Sequence, residues 1–115
     1  MIWLKKLYWG EKAREKGKKL VRAAEGGRKS KLDSCWMITL SGYPECQLDL
    51  FKLSDLKSKL FKPEEMVVLG LAGDKAEALG LLEQMAGDCL KAGGGVALKT
   101  YFAAQAVTKW RGVSV

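Results

Sequence analysis

One stretch of this sequence has the residue types that could hold a phosphate group. An apolar run at residues 66–71 leads into Gly73, Asp74 and Lys75, and a long stretch typical of a helix follows. A phosphate-binding loop of the Walker type needs a Ser or Thr after its lysine, and none is present here. Asp74 would also place a negative charge at the positive end of the helix. We therefore expect Gly73 to form a turn and Asp74 to cap the helix.

A second group of candidates follows the first strong apolar run, residues 35–40. If this run and residues 66–71 form neighbouring parallel strands, the loops that follow them lie together. Open α/β sheets bind ligands at the carboxyl ends of such strands. No partner base stands at a suitable spacing, so we assign no catalytic residue. The ligand-crevice candidates are Ser41, Gly42, Tyr43, Gly73 and Asp74.

The chain contains no histidine, which excludes Ser–His–Asp and Cys–His mechanisms. The three cysteines show no CxxC spacing, and a zinc site needs four good ligands. Cys35 and Cys89 fall on apolar patterns that predict burial, whereas Cys46 falls in a loop. We expect free thiols, no metal, no cofactor and a non-enzymatic role.

Positive charge is concentrated at one end of the 115 residues. Residues 1–31 contain 11 Lys/Arg and 3 Asp/Glu, which gives +8, and residues 32–115 contain 9 and 10, which gives −1. This asymmetry predicts an anionic partner such as nucleic acid or a membrane surface. Trp3, Tyr8 and Trp9 could stack on bases, although the charges surround the predicted helix rather than lining one face. The candidate contacts are Lys12, Arg14, Lys16, Lys18, Lys19, Arg22, Arg28, Lys29 and Lys31.

Residues that favour helix dominate positions 4–25, and the apolar residues at both ends of this segment recur at helical spacing. The pattern predicts a basic N-terminal helix that docks by its ends. Two shorter segments with a break near Gly10 or Gly17 are the alternative.

The rest of the chain predicts strands that alternate with helices. We expect strands at 35–40, 66–71 and 96–102 and helices at 54–61 and from Asp74 to the triple glycine 93–95. Residues 48–53 form either a short strand or the start of one helix over 48–61. The alternation implies right-handed crossovers. The fold class is thus a small single-domain α/β protein with a mostly parallel sheet of three to four strands.

The length predicts one domain over residues 1–115. We divide it into a basic helical arm (1–31), an α/β core (32–104) and a tail (105–115). No apolar stretch approaches the roughly 20 residues that span a bilayer, and the N-terminus lacks the apolar core of a signal peptide. These observations predict a cytoplasmic protein without a transmembrane segment.

Four segments resemble small uncharacterised bacterial proteins of about this length and of unknown function: MITLSG, LDLFKLSDL, VVLGLAGDKAEALGLLEQMAGDCLKAGG and VALKTYF. The resemblance covers most of residues 4–102 and includes a basic N-terminal segment. Its motifs are structural, so it implies one domain in a bacterial cytoplasm and no particular activity.

Three functions remain after these exclusions. The first is a small interaction module that self-associates, as a homo-oligomer, through a sheet edge or an apolar face. The second is a nucleic-acid- or ribosome-associated protein that uses the basic N-terminal helix. The third is a binder of a small ligand at the crevice between residues 41–43 and 73–74.

Overall fold

The computed structural model describes residues 1–26, 34–57 and 65–107. Its strands are β1 (Ile2–Trp9), β2 (Trp36–Leu40), β3 (Leu48–Lys52), β4 (Val67–Ala72) and β5 (Ala106–Val107). Its helices are α1 (Glu11–Lys16), α2 (Lys18–Gly26), a 3-10 helix (Leu53–Lys57), α3 (Lys75–Lys91) and α4 (Leu98–Ala103). The five strands form one sheet in the order β3-β2-β4-β1-β5, in which β5 consists of the last two described residues. The chain is therefore an α/β protein, as predicted.

The sheet is mixed, so the prediction of a mostly parallel sheet is wrong. β1 and β4 are parallel, whereas β2 is antiparallel to β3 and to β4, and β5 is antiparallel to β1. The physical reason for the antiparallel pair of β2 and β3 is the short connection after β2. Residues 41–47 are too few for the crossover of about a dozen residues that parallel neighbours need, so they form a hairpin loop. This hairpin makes residues 48–52 a strand, and the rest of the proposed 48–61 helix is described only to residue 57.

The predicted basic N-terminal helix is also wrong, because residues 2–9 form strand β1. Trp3 and Leu7 are buried on one face of the sheet and Leu4 on the other, which one stripe of a helix could not achieve. The segment IWLKKLYW is rich in aromatic residues, which favour strands. The spacing of its apolar residues fits both the helical and the strand repeat. Pairing with β4 inside the sheet makes the segment a strand.

Helical structure begins only after Gly10 and is interrupted at Gly17, the two positions where the alternative interpretation put a break. Gly17 has φ of 49°, a backbone conformation that favours glycine. Its N–H donates to the carbonyl oxygen of Ala13 and ends α1. The change of direction lets both short helices lie against the same face of the sheet.

The predicted strand at 96–102 is helix α4. Leu98, Tyr101 and Phe102 recur at i, i+3 and i+4, and all three belong to one apolar cluster with α3. The ring of Phe102 makes edge-to-face contacts with Tyr101 at 4.8 Å and with Tyr8 at 5.8 Å. A segment this short fits both the strand and the helical repeat, so its alternation of apolar residues does not indicate a strand.

Two apolar layers enclose the sheet. α1, α2 and the 3-10 helix pack on one face, and α3 and α4 pack on the other. Within the ranges that the structure describes, no helix has the length and apolarity needed to cross a membrane. The largest fully buried side chains include Trp3, Phe102, Leu20, Met37, Ile38 and Leu69.

Gly73 allows the end of β4 to approach α1. A Cβ atom at this position would lie 2.4 Å from the Cβ of Lys12, an atom near the backbone that cannot swing away. We expect Gly73→Ala to lower the free energy of unfolding by about 1–3 kcal/mol, because the strand and the helix must separate. Urea denaturation measures the change.

Gly80→Ala is the matched control. No atom lies within 4 Å of the position that its added methyl group would take, and Gly80 is in the interior of α3. We expect this variant to be more stable by about 0.5–1 kcal/mol, because alanine favours helix over glycine. Destabilisation of the same size in both variants would show that close approach at Gly73 is not the cause.

Candidate functional site

The carboxyl ends of the two parallel strands, β1 and β4, meet at the side chain of Glu77. Its Oε1 accepts a hydrogen bond from the backbone N–H of Gly73 at 2.8 Å, and its Oε2 accepts one from the N–H of Lys12 at 2.7 Å. A Cβ atom on Gly10 would lie 2.3 Å from Oε1, so a glycine makes room for the carboxylate. Helices α1 and α3 leave this point toward opposite faces, and open α/β sheets bind ligands at such a switch point. In this chain a carboxylate of the protein itself occupies the place.

Asp74 caps α3, which confirms the prediction for this residue. Its carboxylate accepts from the N–H of Glu77 at 2.9 Å and from Lys12 Nζ at 2.5 Å. The Lys12 ammonium is the main reason that the pKa of Asp74 is lowered, and the N–H of Glu77 adds to it. The same hydrogen bond raises the pKa of Lys12. Because Glu77 bonds to Gly73 rather than back to Asp74, only half of a capping box forms.

The five ligand-crevice candidates do not come together. Residues 41–43 follow β2 and residues 73–74 follow β4, and these strands are antiparallel, with Thr39 paired to Val68. The two groups therefore lie at opposite ends of the sheet, and a single crevice between them does not form. A role in ligand binding for either group stays a prediction.

Residues 41–43 line a cleft of about 530 Å³ where β2 ends and β4 begins. We call it the Ser41 cleft. Thr39 is only 2% exposed and Ser41 only 4%, so two hydroxyl-bearing residues are buried at its wall. Ser41 Oγ accepts a hydrogen bond from the N–H of Tyr43 at 3.1 Å, which shapes the turn. The polar residues that line the cleft are Thr39, Ser41, Tyr43, Asp49, Glu65 and Lys99.

The loop after β2 is fastened to the start of α4. Lys99 Nζ donates to the carbonyl oxygens of Tyr43 at 3.0 Å and Cys46 at 3.3 Å. Gln47 Nε2 donates to the carbonyl oxygen of Val96 at 2.7 Å, and its Oε1 accepts from the N–H of Lys99. These long-range bonds hold one wall of the Ser41 cleft. Sequence reasoning missed Lys99 and Asp49, because no local pattern links residues so far apart in the chain.

A second groove, of about 630 Å³, runs beside β1. Among the described residues, β5 pairs with β1 at Trp3 and Leu4, and the groove is lined by Lys6, Leu7, Tyr8 and Trp9 farther along the strand. The hydroxyl of Tyr8 donates to the carboxylate of Asp88 within it. Burial, and then this hydrogen bond, raise the pKa of Tyr8 well above its ordinary value. Tyr8 is therefore an un-ionised donor at any physiological pH.

The cations of α1 and α2 are exposed to solvent. Ala13, Leu20, Val21 and Ala24 are buried against the sheet, and the charged residues between them are exposed. The exposed candidates are Lys12, Arg14, Lys16, Lys18, Lys19 and Arg22, whereas Arg28, Lys29 and Lys31 lie outside the described residues. We call Lys16, Lys18, Lys19 and Arg22 the basic face.

The cysteines follow the predicted pattern of burial. Cys35 and Cys89 are buried, Cys46 is exposed, and all three are free thiols. Burial raises the pKa of Cys35, so this thiol is a poor nucleophile. In residues 1–26, 34–57 and 65–107, no three Cys, Asp or Glu side chains group so that they could hold a metal ion.

The Lys12–Asp74 pair makes stability depend on pH in the acid range. The pKa of Asp74 is lower in the folded chain than its ordinary value of 3.8, so ionised Asp74 stabilises the fold above that pH. Its contribution disappears as the pH falls through the lowered pKa. We expect the chain to be more stable than Asp74→Asn at neutral pH, and the difference to shrink in strong acid.

Urea denaturation at neutral and at acid pH gives this difference. Glu83→Gln, on an exposed position of α3, serves as the control. A stability difference for Asp74→Asn that stays constant with pH would exclude the ionised carboxylate as its source.

Comparison with protein-family models, with curated proteins and with solved structures finds no match to this chain. No relative therefore suggests an activity or a partner.

Proposed function

We propose that the protein binds nucleic acid through the basic face. This is the second of the three functions that the sequence leaves open. One observation carries the proposal. Four cations succeed one another between Glu15 and Glu25 without an intervening acidic residue, and all four are exposed. Clustered Lys and Arg side chains neutralise phosphates and release their counterions, which supplies most of the affinity in sequence-independent binding.

These charges lie at the positive end of the dipole of α2. Lys18 and Lys19 occupy the first turn of the helix, which has no acidic residue, and the last turn has no basic one. The positive end of a helix dipole therefore coincides with two ammonium groups, the reverse of the arrangement that stabilises a helix. Dipole and side chains add to one positive potential that faces solvent, which favours a polyanion.

The aromatic residues proposed for base stacking do not take part. Trp3 and Trp9 are buried in the core, and Tyr8 is hydrogen-bonded to Asp88. Recognition through the basic face thus involves phosphates rather than bases, and phosphate contacts carry little sequence information. The proposed activity is binding with little dependence on nucleotide sequence.

Salt dependence tests this function. We expect labelled oligonucleotides to bind with an affinity that falls steeply between about 50 and 200 mM salt. Replacing Lys18 and Lys19 together with Gln should weaken binding and reduce the slope of log K against log[salt] by about 0.9 for each lost contact to duplex DNA. Fluorescence anisotropy measures both quantities.

The matched control is Lys6→Gln with Lys91→Gln, which removes the same charge from exposed positions on β1 and α3. It changes the net charge equally but leaves the basic face intact. Equal losses in the two double variants would attribute binding to net charge alone. Binding that ignores salt, or no binding at low salt, would refute the proposal.

Self-association is a second candidate function, and one surface favours it. Leu79 and Leu90 of α3 are 48% and 66% exposed. They are separated by 11 positions, about three turns, so they share the outer face of the helix with Ala86 between them. An antiparallel α3 from a second copy would place Leu79 of one copy beside Leu90 of the other around a two-fold axis.

Light scattering over a range of concentrations tests this arrangement. We expect a mass that rises above the 12.7 kDa of one chain, and a return to that mass in Leu79→Glu with Leu90→Glu. Val96→Glu is the control, because Val96 is an exposed apolar residue outside α3. A mass of one chain at every concentration would reject self-association.

A further inference from the structure

We infer that the Ser41 cleft binds a small organic cation, an amine attached to an apolar body. Its volume of about 530 Å³ falls within the roughly 300–1,000 Å³ of small-molecule sites. The cleft lies at the end of β2 and shares no residue with the basic face, so this inference is independent of nucleic-acid binding.

The cleft presents acceptors that lack protein donors. Thr39 and Asp49 are paired across β2 and β3, which puts their Cβ atoms about 5 Å apart on one face of the sheet. Glu65 adds a second carboxylate to the lining. Among the described residues, neither carboxylate has a hydrogen bond or an ion pair, and the hydroxyl of Thr39 has no hydrogen-bond partner. A ligand that donates hydrogen bonds would satisfy these groups.

The nearest cation of the lining does not neutralise the carboxylates. Lys99 Nζ donates to the carbonyl oxygens of Tyr43 and Cys46, so the ammonium group stabilises the loop after β2 rather than pairing with a carboxylate. Ser41 Oγ already accepts from Tyr43 N–H, and its hydroxyl proton remains available. An ionised carboxylate only accepts, and a protonated amine only donates, with up to three N–H groups. The amine therefore fits the polar end of the cleft.

The remaining lining suits a hydrocarbon body. Phe51, Met66 and Val67 contribute apolar surface beside the carboxylates. A ring or short chain attached to the amine would cover this surface. Apolar walls with a few oriented polar groups are typical of small-molecule sites.

The net charge of +7 does not oppose a cation here. The excess of Lys and Arg belongs to residues 1–31, and residues 32–115 carry −1. Charges farther away than about 8–10 Å are largely screened at physiological salt. The local charge at the cleft comes from Asp49, Glu65 and the hydrogen-bonded Lys99. This local charge determines whether the cleft prefers a cation or an anion.

Three probes of similar size separate charge from shape: phenethylamine, 2-phenylethanol and 3-phenylpropanoate. Titration of the full chain, followed by backbone amide NMR shifts, reports where each one binds. We expect phenethylamine to shift the amides of Ser41, Tyr43 and Asp49 in a saturable way, and the acid to leave them unchanged. The alcohol should bind at least tenfold more weakly than the amine.

Asp49→Asn should weaken phenethylamine binding about tenfold, which is 1.4 kcal/mol. Thr39→Val, with nearly the same shape, should weaken it severalfold and keeps the test decisive if Asp49→Asn folds poorly. Glu83→Gln removes a carboxylate from the exposed side of α3 and should change nothing. Equal binding of the three probes, shifts away from the cleft, or affinity unaffected in both cleft variants would overturn the inference.

Discussion

Two parallel strand ends in this fold must share one carboxylate. β1 and β4 direct their last residues toward the same point, and the first N–H groups of the following helices have no partners of their own. Glu77 meets this demand by accepting from Gly73 and Lys12, and the lack of a side chain at Gly10 leaves room for it. The side chain joins a helix on one face to a helix on the other. The position of α1, and with it the basic face, therefore depends on a residue of α3.

Local rules predicted the features that local physics determines. Asp74 precedes a helix at capping distance from Glu77, and that relation is visible within four consecutive positions. The strands at 36–40 and 67–72 are short apolar runs between turn residues, so their burial was also readable. The cap, the turn and these two strands, β2 and β4, needed no knowledge of the rest of the fold.

The features that were missed depend on distant partners. IWLKKLYW fits a helix or a strand until β4 is placed beside it, and LKTYFA fits either until α3 supplies a surface to pack on. The direction of β2 relative to β4 separated two loops that a parallel sheet would have joined. The same long-range information brings Asp49 and Lys99 to the Ser41 cleft. Sheet topology thus determines which residues come together in a site. The spacing of apolar residues in one sequence does not reveal that topology.

The short pairing between β5 and β1 has a consequence for how the protein behaves when crowded. In the part of the chain that the structure describes, β5 pairs with β1 at Trp3 and Leu4, and a strand edge without such pairing can recruit strands from other chains. The next two residues of β1 are Lys5 and Lys6, both exposed. Positive charge at this point discourages a like-charged copy from extending the sheet, as gatekeeper residues do beside aggregation-prone segments. These two lysines contributed to the wrong prediction of a basic helix. In the folded chain they would protect the edge of β1 against aggregation.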